Sequence, residues 1–367
     1  MQKYKNIFVA ATSQHIGKTT TTLGLVKSFA KQGVNVGYCK PVGQQYVNIQ
    51  QHKVDKDTVL FSDLIGFDID PTLHSPVIFS KGTTEKILDD NHSFGFEPMI
   101  IHAKKELNKA HELSIFEGTG HPGVGTIAEL SNARVAKLVD ACVIMVVEGG
   151  IGSTIDMLNM TTSLFREEGV DILGVIVNKV IPSKAEKVEK YLNAWLTKKD
   201  LRLLGVLPYD ETLAYPLVRT ICAAIKGEVI MHQDNLYNRV ADVIGGSMMD
   251  LKELKPFKDL LLLTGVRFID KAIKRVISFA NAKELDYCPL SGIVITGEGV
   301  LSQESLDYVN KYEIPVIRTK LETYGVGLKI SRLEVKINRR TPWKVTRAID
   351  LIEKHVDMEW LRSQVKM

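Results

Sequence analysis

The chain has 367 residues, 45% hydrophobic and 25% charged, the balance of a globular protein long enough for two domains. With 47 basic and 43 acidic residues the net charge is +4, too small and too evenly spread to point to nucleic acid or a membrane surface as the main partner. The four cysteines, Cys39, Cys142, Cys222 and Cys288, form no C-x-x-C pair, which argues against a zinc knuckle or a thioredoxin-type redox site. The first three lie in apolar stretches and read as buried thiols in a reducing compartment. The nine histidines show no H-x-x-x-H or H-x-H spacing, so a transition-metal site is not expected. No signal-peptide pattern precedes the first apolar run, and no run approaches the roughly 20 residues of a membrane helix. A cytoplasmic protein is expected.

In chain order, the apolar run 6–11 leads into a helix pattern over 18–32, and 34–39 reads as a second strand. Further short apolar runs follow at 113–116, 142–147, 172–177 and 203–207, with helix-like segments between them. Fully apolar short strands alternating with helices imply an α/β fold, a parallel sheet covered by helices on both faces. Such sheets bind ligands at the carboxyl ends of their strands, so the residues that follow each run carry the information. Residues 44–112 are weaker in pattern and read as a helical insertion with loops. Beyond Pro208 the texture changes. Strand-like runs at 243–248, 259–265, 291–299 and 314–319, with a helix pattern over 271–281, suggest a second, smaller α/β domain. Residues 343–365 read as one amphipathic helix. The expected plan is therefore 1–215, 216–340 and a C-terminal helix in 341–367.

The segment Thr12-Ser13-Gln14-His15-Ile16-Gly17-Lys18-Thr19-Thr20 joins the first strand to the first helix and ends as a phosphate-binding loop ends. In that setting backbone N–H groups and the helix N-terminus surround nucleotide phosphates. Gly17 permits close approach, Lys18 brings positive charge to the β- and γ-phosphates, and the Thr19 hydroxyl suits Mg²⁺. His15 either contacts phosphate or shapes the loop.

Lys40, directly after the second strand, either points into the same phosphate site or is a surface lysine at a turn. Glu117 ends a buried strand, where a carboxylate needs a cation, and Mg²⁺ on the phosphates would serve. Gly118, Thr119 and Gly120 follow it in a glycine-rich stretch that either wraps a substrate or forms a surface turn. Asn178 ends another strand; its amide suits an adenine edge, though asparagine there also serves turns. Asp57 is a candidate second carboxylate near Mg²⁺, and 148–153 forms a further loop at the same sheet end.

Together these pieces resemble the dethiobiotin synthetases and cobyrinic acid a,c-diamide synthases over residues 5 to about 210, a family of P-loop NTPase fold whose phosphate loop also carries threonine at the position of Thr12. The resemblance implies that Lys18 and Lys40 contact the phosphates and the transferring γ-phosphoryl group. It also implies that Thr19, Asp57 and Glu117 hold Mg²⁺ and that Asn178 recognises adenine. Gly43-Gln44-Gln45 after Lys40-Pro41-Val42, Ser13 in the phosphate loop, and Thr119 and His121 after Glu117 depart from the dethiobiotin synthetase pattern on the substrate side. The chain is closer still to the dethiobiotin-synthetase-like regulatory half of long phosphotransacetylases, where a DRTGG domain follows. Residues 216–340 resemble that domain, with Gly265-Val266-Arg267 at its motif, and phosphotransacetylase activity itself is not expected. The resemblance implies ATP and Mg²⁺ as cofactors and a homodimer. Two readings follow: an ATP-dependent ligase acting on a small carboxylate or carbamate, or a nucleotide-binding regulatory protein.

Overall fold

The first unit is built on β1 (Asn6–Ala11), β2 (Val36–Cys39), β7 (Leu113–Glu117), β8 (Cys142–Glu148), β9 (Ile172–Val180) and β10 (Leu203–Pro208). These six strands run parallel in the order β10-β9-β8-β1-β7-β2. The computed structural model describes residues 3–89, 95–245, 257–333 and 335–366. It divides into one compact unit of Met1–Asp210 with Ile337–Met367 and a second of Glu211–Lys336. No helix among the described residues is long and apolar enough to cross a membrane.

Every residue of β1 and β7 is buried, because helices cover both faces of the sheet. Phe8, Ala10, Phe116, Val143, Met145 and Val147 pack into one core with Leu158 and Phe165 of the helix Gly152–Glu167. The helix Lys18–Lys31 follows β1 and buries Leu23, Leu25, Val26 and Phe29. It packs against the helix Pro342–His355. The last thirty residues thus lie within the first unit.

The 343–365 segment is two helices, Pro342–His355 and Met358–Gln364. Val356 breaks the run by bridging Gly205 on the edge strand β10, and the Asp357 side chain caps the second helix at Trp360 N. Residues 44–112 are helical in part, but strands that the sequence pattern does not announce lie within them and just before them. The strand pair β3 (Val42–Gly43) and β6 (Val77–Ile78) is parallel, and β4 (Tyr46–Ile49) with β5 (His52–Asp55) is a hairpin. Its turn residues Gln50 and Gln51 both take positive φ, 45° and 73°, without the glycine or asparagine that usually signals such a turn.

The second unit contains β11 (Glu228–Met231), β12 (Asp242–Gly245), β13 (Leu260–Gly265), β14 (Leu290–Thr296) and β15 (Val316–Thr319). They form a five-stranded sheet in the order β11-β15-β14-β13-β12. Only β11 is antiparallel, and sequence pattern did not reveal it. Helices Ile269–Ala282 and Gln303–Lys311 cover one face; Val218–Ala224 and Thr323–Ser331 contribute to the core on the other. The end of the expected 243–248 run, residues 246–248, lies outside the described residues.

Candidate functional site

The strand order places β1 between β7 and β8, so the loops leaving β1, β2 and β7 meet at one carboxyl edge. The loop from Thr12 to Gly17 begins with Thr12 N donating to Val146 O and ends where Thr21 N donates to Gly17 O. Thr12 and Ile16 are buried, while Ser13 is half-buried and Gln14 and His15 face solvent. Gly17 sits at φ 96°, left-handed backbone that turns the chain into the helix. Thr20 lies half-buried in the first helical turn.

The charged side chains form one connected chain of contacts. Thr19 Oγ1 donates to Glu117 Oε1 at 2.7 Å, and Lys40 Nζ donates to the same oxygen at 3.2 Å. Lys40 Nζ also reaches Asp57 Oδ2 at 2.7 Å. Lys18 Nζ donates to Gly120 O at 3.0 Å, linking the phosphate loop to the loop after β7. Thr119 Oγ1 donates to Val42 O, and Gly118 N to Val9 O. Asn178 lies against the loop: its Nδ2 donates to Ile16 O at 2.7 Å and its Oδ1 accepts from Lys179 N at 2.8 Å.

Burial decides the electrostatics. Glu117 is fully buried and Lys40 is 4% exposed, so each charge relies on the other. Burial alone would lower the Lys40 ammonium, but Glu117, Asp57 and Asp55 outweigh it and hold the pKa above its ordinary value. Asp55, two residues before Asp57, is pushed up to about 6 by burial, with Lys40 opposing and Asp57 adding. Burial and then Glu117 raise the Tyr38 hydroxyl well above its usual range.

Several site residues escaped sequence reasoning. Tyr38 OH donates to Glu117 Oε2 at 3.2 Å, and its ring stacks on Phe61 with centroids 3.7 Å apart. Asp55 caps the helix Lys56–Phe61, accepting Asp57 N on Oδ1 at 2.9 Å and Gln44 N on Oδ2 at 3.1 Å. Lys179 Nζ donates to His15 O at 2.6 Å and stands 3.7 Å from Glu148. The spacing Asp55-Lys56-Asp57 was a readable capping signal; a tyrosine and a lysine beside strand ends carry none.

Thr19, Glu117 and Asp57 together offer a hydroxyl and two carboxylates, hard oxygen donors of the kind Mg²⁺ takes alongside phosphate oxygens. Glu117 already meets cationic Lys40, which supplies the positive charge that its burial requires.

A family model described as an AAA domain, AAA_26, matches residues 5–216. Over 96% of its length the chain is 21% identical to a phosphate acetyltransferase of Nitrosomonas europaea, covering 51% of that protein. A phosphate acetyltransferase of Acinetobacter baylyi is 24% identical over 98% of the chain and 52% of its own length. A protein of Methanosphaera stadtmanae described as a probable cobyric acid synthase is 26% identical over 58% of the chain and 46% of its own length. The chain thus spans about half the length of these curated relatives.

Proposed function

Since the chain belongs to the AAA_26 family of AAA domains, we propose that it binds Mg·ATP at the loop Thr12–Thr20 and uses it as an ATP-dependent ligase. The observation that carries this reading is the contact chain Thr19–Glu117–Lys40–Asp57 beside Lys18, a complete set for phosphate and Mg²⁺ at one sheet edge. The acceptor is a small carboxylate or carbamate. Its oxygen attacks the γ-phosphorus, the bond to the bridging oxygen breaks, and ADP leaves. An amine then attacks the acyl phosphate and phosphate departs. Thr19, Glu117 and Asp57 would hold Mg²⁺, which would supply neutralisation of phosphate charge. Lys18 and Lys40 orient the γ-phosphoryl group and stabilise its developing charge. Gly118, Thr119 and Gly120 face the acceptor, and Asn178 recognises adenine. The similarity to a probable cobyric acid synthase supports this coarse chemistry.

A second reading has its own support. The phosphate acetyltransferases match nearly the whole chain, both units included, yet only about half of their own length. On this reading ATP sets the conformation of a homodimer, and the second unit, DRTGG-like in sequence, relays it to a partner.

Turnover of Mg·ATP by the purified protein separates the two, alone and with pooled diamines, dicarboxylates, bicarbonate and glutamine. Lys18→Ala serves as the control. A pool that raises turnover in the wild type alone supports the ligase. Binding through Lys18 without turnover in any pool supports the regulator, and no binding overturns both.

A further inference from the structure

Asn132, first residue of the helix Asn132–Leu138, is 2% exposed and directs its whole side-chain amide at the loop after β7. Oδ1 accepts from Thr119 N at 3.1 Å, while Nδ2 donates to Thr119 O and to His121 O, both at 2.8 Å. Its own backbone N–H donates to Pro122 O at 2.8 Å. One residue therefore makes four hydrogen bonds to three members of a four-residue stretch. The helix does not need this side chain as a cap, because Ser131 Oγ already accepts Arg134 N at 3.1 Å. Gly118 makes the approach possible: a Cβ there would lie 2.8 Å from Phe8 and 3.0 Å from Asn132 Oδ1.

The segment held in this way is the one that meets the phosphate-site lysines. Between the two residues that the Asn132 side chain grips, Gly120 presents its carbonyl to Lys18 Nζ. On the other side the Thr119 hydroxyl ties the loop to Val42 O, two residues beyond Lys40. Without Asn132, the backbone N–H and C=O of Thr119 would be buried without a partner.

We propose that Asn132 is a positioning residue, which fixes Thr119–His121 so that the acceptor stands in register with Lys18 and Lys40. The proposal rests on the ATP-using reading above. Asn132→Asp keeps the size and the acceptor for Thr119 N, but sets a carboxylate oxygen against two carbonyls. Amide exchange over residues 118–124, affinity for the non-hydrolysable Mg·AMPPNP, and turnover per bound Mg·ATP are compared with wild type across pH.

The variant should exchange this loop about tenfold faster and turn over about tenfold more slowly, the loss of buried hydrogen bonds having roughly that effect. Nucleotide affinity should hold within about threefold, because the Asn132 amide bonds to the loop after β7 and not to the phosphate loop. Turnover relative to wild type should recover at acid pH, where a protonated carboxyl donates once more. Unchanged loop exchange overturns the proposal; so does faster exchange with turnover per bound nucleotide intact. Wild-type protein that binds Mg·ATP without turnover sinks the ligase reading instead, and loop exchange in the variant then decides whether Asn132 holds the loop. Asn132→Ala, which removes all three side-chain bonds, should speed loop exchange at least as much; if it fails to fold, the near-isosteric Asn132→Asp carries the comparison alone.

Discussion

The ammonium of Lys40 stands 3.2 Å from the Glu117 carboxylate, with 5% and 0% of the two side chains exposed, and the same ammonium reaches Asp57 at 2.7 Å. One buried cation thus holds two carboxylates that would otherwise repel each other out of water. Lys40→Met is expected to lower stability by about 3–5 kcal/mol, the effect of breaking a buried ion pair from one side. Mg²⁺ should restore part of the loss, since the freed carboxylates are then a better cation site. Urea titrations with and without Mg²⁺ check both, and a variant as stable as wild type contradicts the pairing.

The Lys18 ammonium donates to the Gly120 carbonyl at 3.0 Å. Its bond to Gly120 contributes about 1 kcal/mol, and the larger effect of Lys18→Ala is expected on the nucleotide. Losing a charge-assisted hydrogen bond to phosphate should weaken Mg·AMPPNP binding roughly 10- to 100-fold. Calorimetric titration gives that number directly, and equal affinity in both proteins removes Lys18 from the site.

The parallel sheet of the first unit was legible because β1, β7 and β8 are buried on both faces, which writes them as uninterrupted apolar runs. Lys40 and Glu117 were legible for the same reason, since each directly follows or ends such a run, and Lys18 and Thr19 because they close the Gly-Lys-Thr loop between the first strand and the first helix. The structure brings Thr19, Glu117, Lys40 and Asp57 into one chain of contacts, while Lys18 meets the Gly120 carbonyl. The hairpin at 46–55 was not, since its partly exposed strands lack apolar alternation and Gln50-Gln51 is no turn signature. Tyr38 and Asn132 stayed hidden because their importance lies in what they touch. Asn132 meets Thr119 across 13 positions, and Tyr38 meets Glu117 across 79. The break at Val356 depends on an edge strand some 150 residues earlier in the chain, a tertiary contact that helical periodicity does not record.

Gly17 is constrained twice. Its φ of 96° disfavours any Cβ, and a Cβ there would lie 2.3 Å from Asn178 Nδ2. Gly17→Ala should therefore weaken nucleotide binding and cost about 1–2 kcal/mol for the left-handed backbone alone. Adding Asn178→Ala relieves the collision but leaves the backbone strained and Ile16 O without its donor. A double-mutant cycle on stability should show partial rescue. Full rescue would mean that the collision alone mattered.

Asp55 provides a pH signature. Its carboxyl is raised from 3.8 to about 6, burial being the main cause. Between those values the folded chain holds a proton that the unfolded chain has released, so stability falls as pH climbs from about 4 to 6. The penalty, about 1–3 kcal/mol, is fully present above pH 6 and absent below the unfolded value. Asp55→Asn removes the titration. It also leaves one oxygen where two now accept, from Asp57 N and Gln44 N, which lowers stability at every pH. The variant should accordingly be less stable than wild type at pH 4, with the gap narrowing by pH 7 as the wild type loses its proton. Urea midpoints across that range measure the two slopes, and parallel profiles would assign the titration to another group.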